Sequence, residues 1–202
     1  MNFDFYDLLS KVIPGSVLCI ALISCDIINP NENIPDLMYL FIFYILGFFI
    51  DALATIPFIK NILIWSFGGL PAKTILSGKK FNGFSYNFLD KLKERSDNDW
   101  NQDNLSNTFD IIYRKVFMQN KRIQDFNNDS LNSRNIFVSL FISFLSAFIF
   151  LWVLENELSL NNKLPITILL FVCMILSYCR TKSRQCLFIK EVLDTFLFNE
   201  NK

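Results

Sequence analysis

Apolar residues in this chain are gathered into blocks instead of being spread at helical or strand periods. The first block covers residues 12–28, interrupted by Pro14, Gly15, Ser16, Ser24 and Asp26, and the second covers 37–67, broken by Asp51, Lys60 and Asn61. The third, 136–154, and the fourth, 164–179, contain no charge. A bilayer-crossing helix needs about 20 mostly apolar residues, and a helix satisfies its backbone polar groups internally where no water can do so. The blocks therefore predict four transmembrane helices in an all-α polytopic membrane protein. A cleaved signal peptide is not expected, because the first block follows Asp4 and Asp7 instead of a basic stretch and lacks a small-x-small cleavage site.

Between and around the blocks the pattern turns polar or amphipathic. Residues 1–11 read as an amphipathic lead-in, and Pro14 is expected at the first turn of the first span, where proline is tolerated. The second span is expected to end near Pro57, with 58–67 as a tilted or interfacial extension carrying Trp65 at headgroup level. Residues 68–83 are glycine-rich and read as a turn-rich exit from the membrane. A short helix is expected from Ser85 to Arg95, and a longer one from Asn107 to Ile123 with Ser106 as its N-cap. Phe109, Ile112 and Val116 lie on one face of that helix. The polar runs 96–104 and 125–135 read as loops, and 185–198 as an amphipathic tail helix with Phe188, Val192 and Phe196 on its apolar side. The expected organisation is thus 1–67, lead-in and first two spans; 68–135, a cytosolic helical insert; 136–179, the last two spans; and 180–202, a cytosolic amphipathic helix. Some 45 residues of cytosolic helix are too few for a sizeable core of their own. These helices are accordingly expected to pack on one another, on the membrane underside or on a second subunit, with Phe109, Ile112, Val116, Phe188, Val192 and Phe196 as the candidate partner-facing residues.

Charge sets the orientation. Of the 19 Lys and Arg, 18 fall in the N-terminus, in 60–135 or after Cys179, and the 29–36 and 155–163 loops together hold only Lys163. Short cytoplasmic loops collect basic residues, so both termini are expected on the cytoplasmic side of the membrane. The overall formal charge of zero hides this asymmetry. The inner basic excess suits anionic lipid headgroups. A nucleic-acid surface is not expected, because Asp90, Glu94, Asp97, Asp99 and Asp103 dilute any positive patch.

Composition removes most enzyme chemistry. The chain has no histidine, which excludes Ser-His-Asp and Cys-His catalysis and His-ligated zinc. Its five cysteines form no Cys-x-x-Cys pair and read as buried, reduced thiols. The GGLPAKT stretch at 68–74 has Ala72 where a phosphate-binding loop needs glycine before the lysine. No catalytic, cofactor-binding or metal residue is expected, and the protein is read as a non-enzyme.

Two intramembrane stripes remain. Tyr44, Gly47, Asp51 and Thr55 step by three, four and four along the second span. An acid at mid-span costs about 2.5–3.5 kcal/mol on insertion scales and usually faces a bundle interior or a water path. No basic residue occupies the middle of any span, so a buried ion pair is not expected. Asp51 is read either as a hydrogen-bonded packing contact, in which case Asp51→Asn is tolerated, or as a titratable or pore-lining group. The second stripe, Ser139, Ser143 and Ala147 with Ser146 alongside, has the small-residue spacing of close helix contacts, within one chain or between chains. It leads to the expectation of a homo-oligomer, with a tetramer as the expected size.

The FDFYDLLSKVIPGSVL start (3–18), the GFFIDAL of the second span (47–53) and the insert between spans two and three give a layout similar to small multi-span membrane proteins of bacterial anti-phage defence operons. It resembles in particular the membrane subunit of Kiwa-type systems, which works with a soluble partner. The resemblance implies an oligomeric anchor or sensor in a bacterial inner membrane that holds or releases a soluble cytosolic protein. The alternative is a pore-forming effector that depolarises the cell when triggered.

Overall fold

The computed structural model of the chain describes residues 5–25, 27–28, 35–57, 71–77, 88–96, 104–117, 120–153 and 160–198. Its elements are α1 (Phe5–Ser24), α2 (Asp36–Thr55), α3 (Pro71–Leu76), α4 (Phe88–Ser96), α5 (Leu105–Phe117), α6 (Lys121–Phe148), a π-helical segment (Ile149–Val153) and α7 (Leu160–Phe198). No strand occurs among the described residues. The protein is all-α. Three helical stretches are long and apolar enough to cross a membrane: Leu37–Thr55, Lys121–Val153 and Lys163–Phe198. A shorter apolar stretch, Leu8–Ser24, lies in α1.

The chain divides into two compact units, Met1–Ile64 with Leu131–Thr181, and Trp65–Ser130 with Lys182–Lys202. Two of the three divisions fall inside α6 and α7, and each unit is described on its own.

In the first unit α1 and α2 are antiparallel neighbours that touch through glycine. A Cβ on Gly47 would lie 2.9 Å from the Lys11 Cα and run into the Lys11 carbonyl. One on Gly15 would lie 2.9 Å from the Gly47 nitrogen and run into the Phe43 carbonyl. α6 and α7 are also antiparallel. Thr181 Oγ1 donates to the Ser133 carbonyl at 2.9 Å, while Phe137 meets Tyr178 at 5.4 Å and Phe144 meets Phe171 at 5.6 Å between ring centroids. Further along, Trp152 Nε1 donates to Thr167 Oγ1 at 3.2 Å. α1 runs alongside α6 in the same direction, with Ser139 Oγ donating to the Pro14 carbonyl at 2.7 Å and Cys25 packed against Ala147 and Leu151.

Several local expectations change. Pro14 lies in the interior of α1, not at its first turn, because 5–11 continue the helix instead of forming a separate lead-in. α2 stops at Thr55 because Ile56 precedes Pro57 and adopts extended geometry (φ −60°, ψ 126°), as a residue before proline prefers. The 125–135 run is helical within α6 and not a loop. The expected fourth span and tail helix are one continuous helix, which begins inside the acidic 155–163 segment. Pro71–Leu76 is helical where a turn-rich exit was expected, with proline at the first helical position. The 58–67 extension and the 97–103 loop lie outside the described residues.

The second unit has a core of its own. Ile75, Leu76, Phe88, Leu92, Leu105, Phe109, Ile112, Val116, Ile123, Ile189, Val192 and Leu193 form one buried cluster. Asparagines start two of its helices. Asn104 Oδ1 accepts the Asn107 N–H at 3.2 Å, and Asn120 Oδ1 accepts the Arg122 N–H at 2.9 Å. The expected Ser106 cap is thus replaced by Asn104, and the expected 107–123 helix ends at Phe117. The end of α7 is tied in by Arg122–Glu191 at 3.2 Å, by a hydrogen bond from Arg95 to the Leu197 carbonyl, and by the Arg95 guanidinium 5.3 Å from the centre of the Phe196 ring.

Candidate functional site

The acid in the second span has partners. Lys11 Nζ donates to Asp51 Oδ2 at 2.5 Å, Asn135 Nδ2 to Oδ1 at 2.8 Å and Arg134 Nη2 to Oδ1 at 3.3 Å. The expectation that no ion pair was available to Asp51 is therefore overturned. The cations come from the ends of other apolar segments, just before the first block and just before the third, so no span carries a basic residue in its own middle. Helix pairing brings them level with Asp51. α1 contributes Lys11, α2 Asp51, and α6 both Arg134 and Asn135, and the four side chains join three helices. Arg134 and Asn135 are almost fully buried, whereas Lys11 and Asp51 retain 22% and 28% of their side-chain exposure.

The rest of the expected Tyr44 stripe divides. Gly47 carries the close approach to α1, one turn before Asp51. Tyr44 is half-buried. Thr55 is exposed and returns its hydroxyl to the Ala52 carbonyl at 2.6 Å. The residues that accompany Gly47 and Asp51 into the interior are Ile50 and Ala54. Apolar residues on a helix that is apolar all round give no periodic signal, so neither could be singled out from the sequence.

The serine stripe is taken up within one chain. Ser139, Ser143 and Ala147 are buried, Ser139 on Pro14 of α1 and Ser143 with its hydroxyl on the Ser139 carbonyl at 2.8 Å. Ser146 is half-buried. This stripe consequently gives no support to an oligomer.

The residues expected to face a partner face one another. Phe109, Ile112, Val116 and Val192 are buried in the second unit's cluster, with Phe188 and Phe196 packed against it. Phe188 meets Phe109 edge-on at 6.2 Å and Tyr113 at 5.6 Å. Burial pushes the Tyr113 phenol above its usual range, so it stays neutral. Because Ile112 is fully buried, Ile112→Ala is expected to destabilise this unit by about 2–5 kcal/mol. Hydrogen exchange should show α4 and α5 losing protection while α1 and α2 keep theirs. Unchanged protection in α5 would return Ile112 to an outward-facing role.

No cluster of metal-ligating side chains occurs among the described residues. Cys19 and Cys25 are buried as expected of inert thiols, but Cys179 is exposed. No protein-family model, curated protein or solved structure matches the chain.

Proposed function

We propose that the chain is a non-enzymatic, four-span protein of a bacterial inner membrane that anchors a soluble cytosolic partner through its second unit. The setting is the anti-phage defence that its layout resembles. The observation that carries this reading is the Lys11–Asp51–Arg134–Asn135 cluster. It puts the start of α1, the end of α2 and the start of the apolar part of α6 at one level, while Cys25, Ala147, Leu151 and Ile166 meet at another. Helix α1 thus runs the same course as its neighbours, which supports a fourth span. Both termini and the 65–130 insert then fall on the basic, cytoplasmic side.

The same cluster favours an anchor over a pore. Asp51 is held by two cations and an amide, and the buried hydroxyls of Ser139, Ser143 and Thr181 donate to protein carbonyls. These groups close a packed interior instead of lining a water path. The apolar face of α5 and the Phe188, Val192 and Phe196 face of α7 pack into one cluster, so a soluble partner meets outward charged residues such as Lys91, Glu94 and Arg114.

The test combines sidedness with recruitment. Single cysteines at Asn31 and Asn161, in a cysteine-free background, should react with an impermeant reagent from outside, and those at Asn104 and Asn201 should not. Coexpressed with the products of its neighbouring genes, the chain should move one soluble product to the membrane fraction, and Lys91→Glu with Arg114→Glu should release it. Labelling at Asn104, or a neighbour product that stays soluble throughout, would remove the reading. Collapse of the membrane potential on expression of the chain alone would put the pore in its place.

A further inference from the structure

Among the described side chains, the Asp51 cluster contains more positive charge than its one carboxylate neutralises. Asp51 Oδ2 is taken by Lys11, and Oδ1 by both Arg134 and Asn135. Among the described residues Lys11 Nζ makes no other bond, and the remaining Arg134 bonds, at 3.3 and 3.4 Å, end on the neutral amide oxygen of Asn135. Two cations therefore share one anion, with the Arg134 side chain only 8% exposed. A charge withdrawn from water is unfavourable unless paired. The cluster is not sealed, since Lys11 and Asp51 both reach the surface. On α2, Phe48 is exposed one turn before Asp51 and gives the surface beside the cluster an apolar side chain.

The geometry points to a binding site for the headgroup phosphate of an anionic phospholipid at this cluster. A phosphate oxygen accepts from the free donors of the Lys11 ammonium, and Arg134 behind it supplies the balancing field. An acyl chain lies along Phe48, which is why a lipid is favoured over free phosphate. This site rests on the membrane reading above but needs neither the partner nor the sidedness.

The experiment uses the full chain in neutral detergent, with thermal unfolding and native mass spectrometry as readouts. Phosphatidylglycerol should stay bound and raise the unfolding midpoint more than phosphatidylcholine at equal concentration, and inorganic phosphate should do neither. Lys11→Gln should weaken phosphatidylglycerol retention about tenfold, the loss expected for one charge-assisted hydrogen bond. Lys11→Arg, which keeps the charge, should preserve the preference, as should the distant control Lys91→Gln. Equal retention of the two lipids, an undiminished preference in Lys11→Gln, or equal stabilisation by inorganic phosphate would overturn the site. Any of these results would leave the cysteine-labelling and recruitment outcomes untouched. A failure of those outcomes would likewise leave a measured lipid preference in place.

Discussion

Replacing Asp51 with leucine is expected to cost the protein about 3–5 kcal/mol, because removing the carboxylate leaves an almost fully buried Arg134 and a partly buried Lys11 facing each other without compensation. Asp51→Asn is expected to fall between that variant and the native protein. The amide keeps the side chain's shape but neutralises neither cation, and hydrogen bonds to a charged group are each worth about 1.5–3 kcal/mol. Tolerance of asparagine was the expectation while no cation could be placed near residue 51, and the ion pairs reverse it. Adding Lys11→Gln to Asp51→Asn removes part of the excess charge and should recover part of the loss. Thermal unfolding of the four purified proteins in one detergent measures all of these. An Asp51→Asn protein as stable as the native one would defeat the ion-pair account. If it were also inactive, Asp51 would be a titratable functional group instead.

Gly47→Ala is expected to be nearly as damaging, although it adds a single methyl group. Overpacking typically costs about 1–3 kcal/mol when side chains can adjust. Here the added carbon meets the Lys11 carbonyl and Cα, which are backbone and cannot swing aside. Gly15→Ala meets the Phe43 carbonyl in the same way. Either change has to push α1 away from α2, and that movement lengthens the 2.5 Å Lys11–Asp51 pair, since Lys11 supplies both the blocked carbonyl and the ammonium. The effects of Gly47→Ala and Asp51→Leu should therefore overlap and not add, as expected for sites that share a partner. Phe48→Ala, at an exposed position on the same helix, is the control and should change stability little. A Gly47→Ala midpoint equal to that of Phe48→Ala, or strict additivity with Asp51→Leu, would show that the crossing is looser than its glycines require.

Much of the candidate site was present in the sequence as separate hints. Asp51 stood out because a charge in an apolar run is costly, and Gly47 because a small residue one turn away permits close approach. Ser139 and Ser143 stood out by spacing. The residues that give Asp51 its role did not, because Lys11 and Arg134 looked like ordinary boundary cations at the ends of their spans. They lie 40 and 83 residues from Asp51 along the chain, and only antiparallel pairing of α1 with α2, and the packing of α6 beside them, makes them neighbours.

In the second unit the helices pack on one another, and the partner-facing residues are covered for a related reason. Phe109, Ile112, Val116, Phe188, Val192 and Phe196 were correctly assigned to apolar faces, but an apolar face has the same pattern whether it covers a partner or its own chain. α3, α4 and the start of α6 supply the cover, through Ile75, Leu76, Phe88, Leu92 and Ile123. The 125–135 run has a loop-like sequence because Asn, Asp and Ser each cost up to about 0.7 kcal/mol in a helix relative to alanine. Tertiary contacts override that cost. Ser130, Ser133, Arg134 and Asn135 are buried, and Thr181 donates to the Ser133 carbonyl.

What the sequence by itself determined is the helical class and the presence of long apolar segments. A run of apolar residues with no polar group to satisfy its backbone has to hydrogen-bond within itself wherever water is absent, and that demand is local. The stop of α2 before Pro57 was local too, being a steric property of the residue preceding proline. Only the tertiary structure decided which helices touch, that α1 carries proline in its interior, that the serine stripe closes on Pro14, and that the lone acid of the second span is held by two cations. Those outcomes depend on distances between residues far apart in the chain, and such distances exist only once the helices have packed.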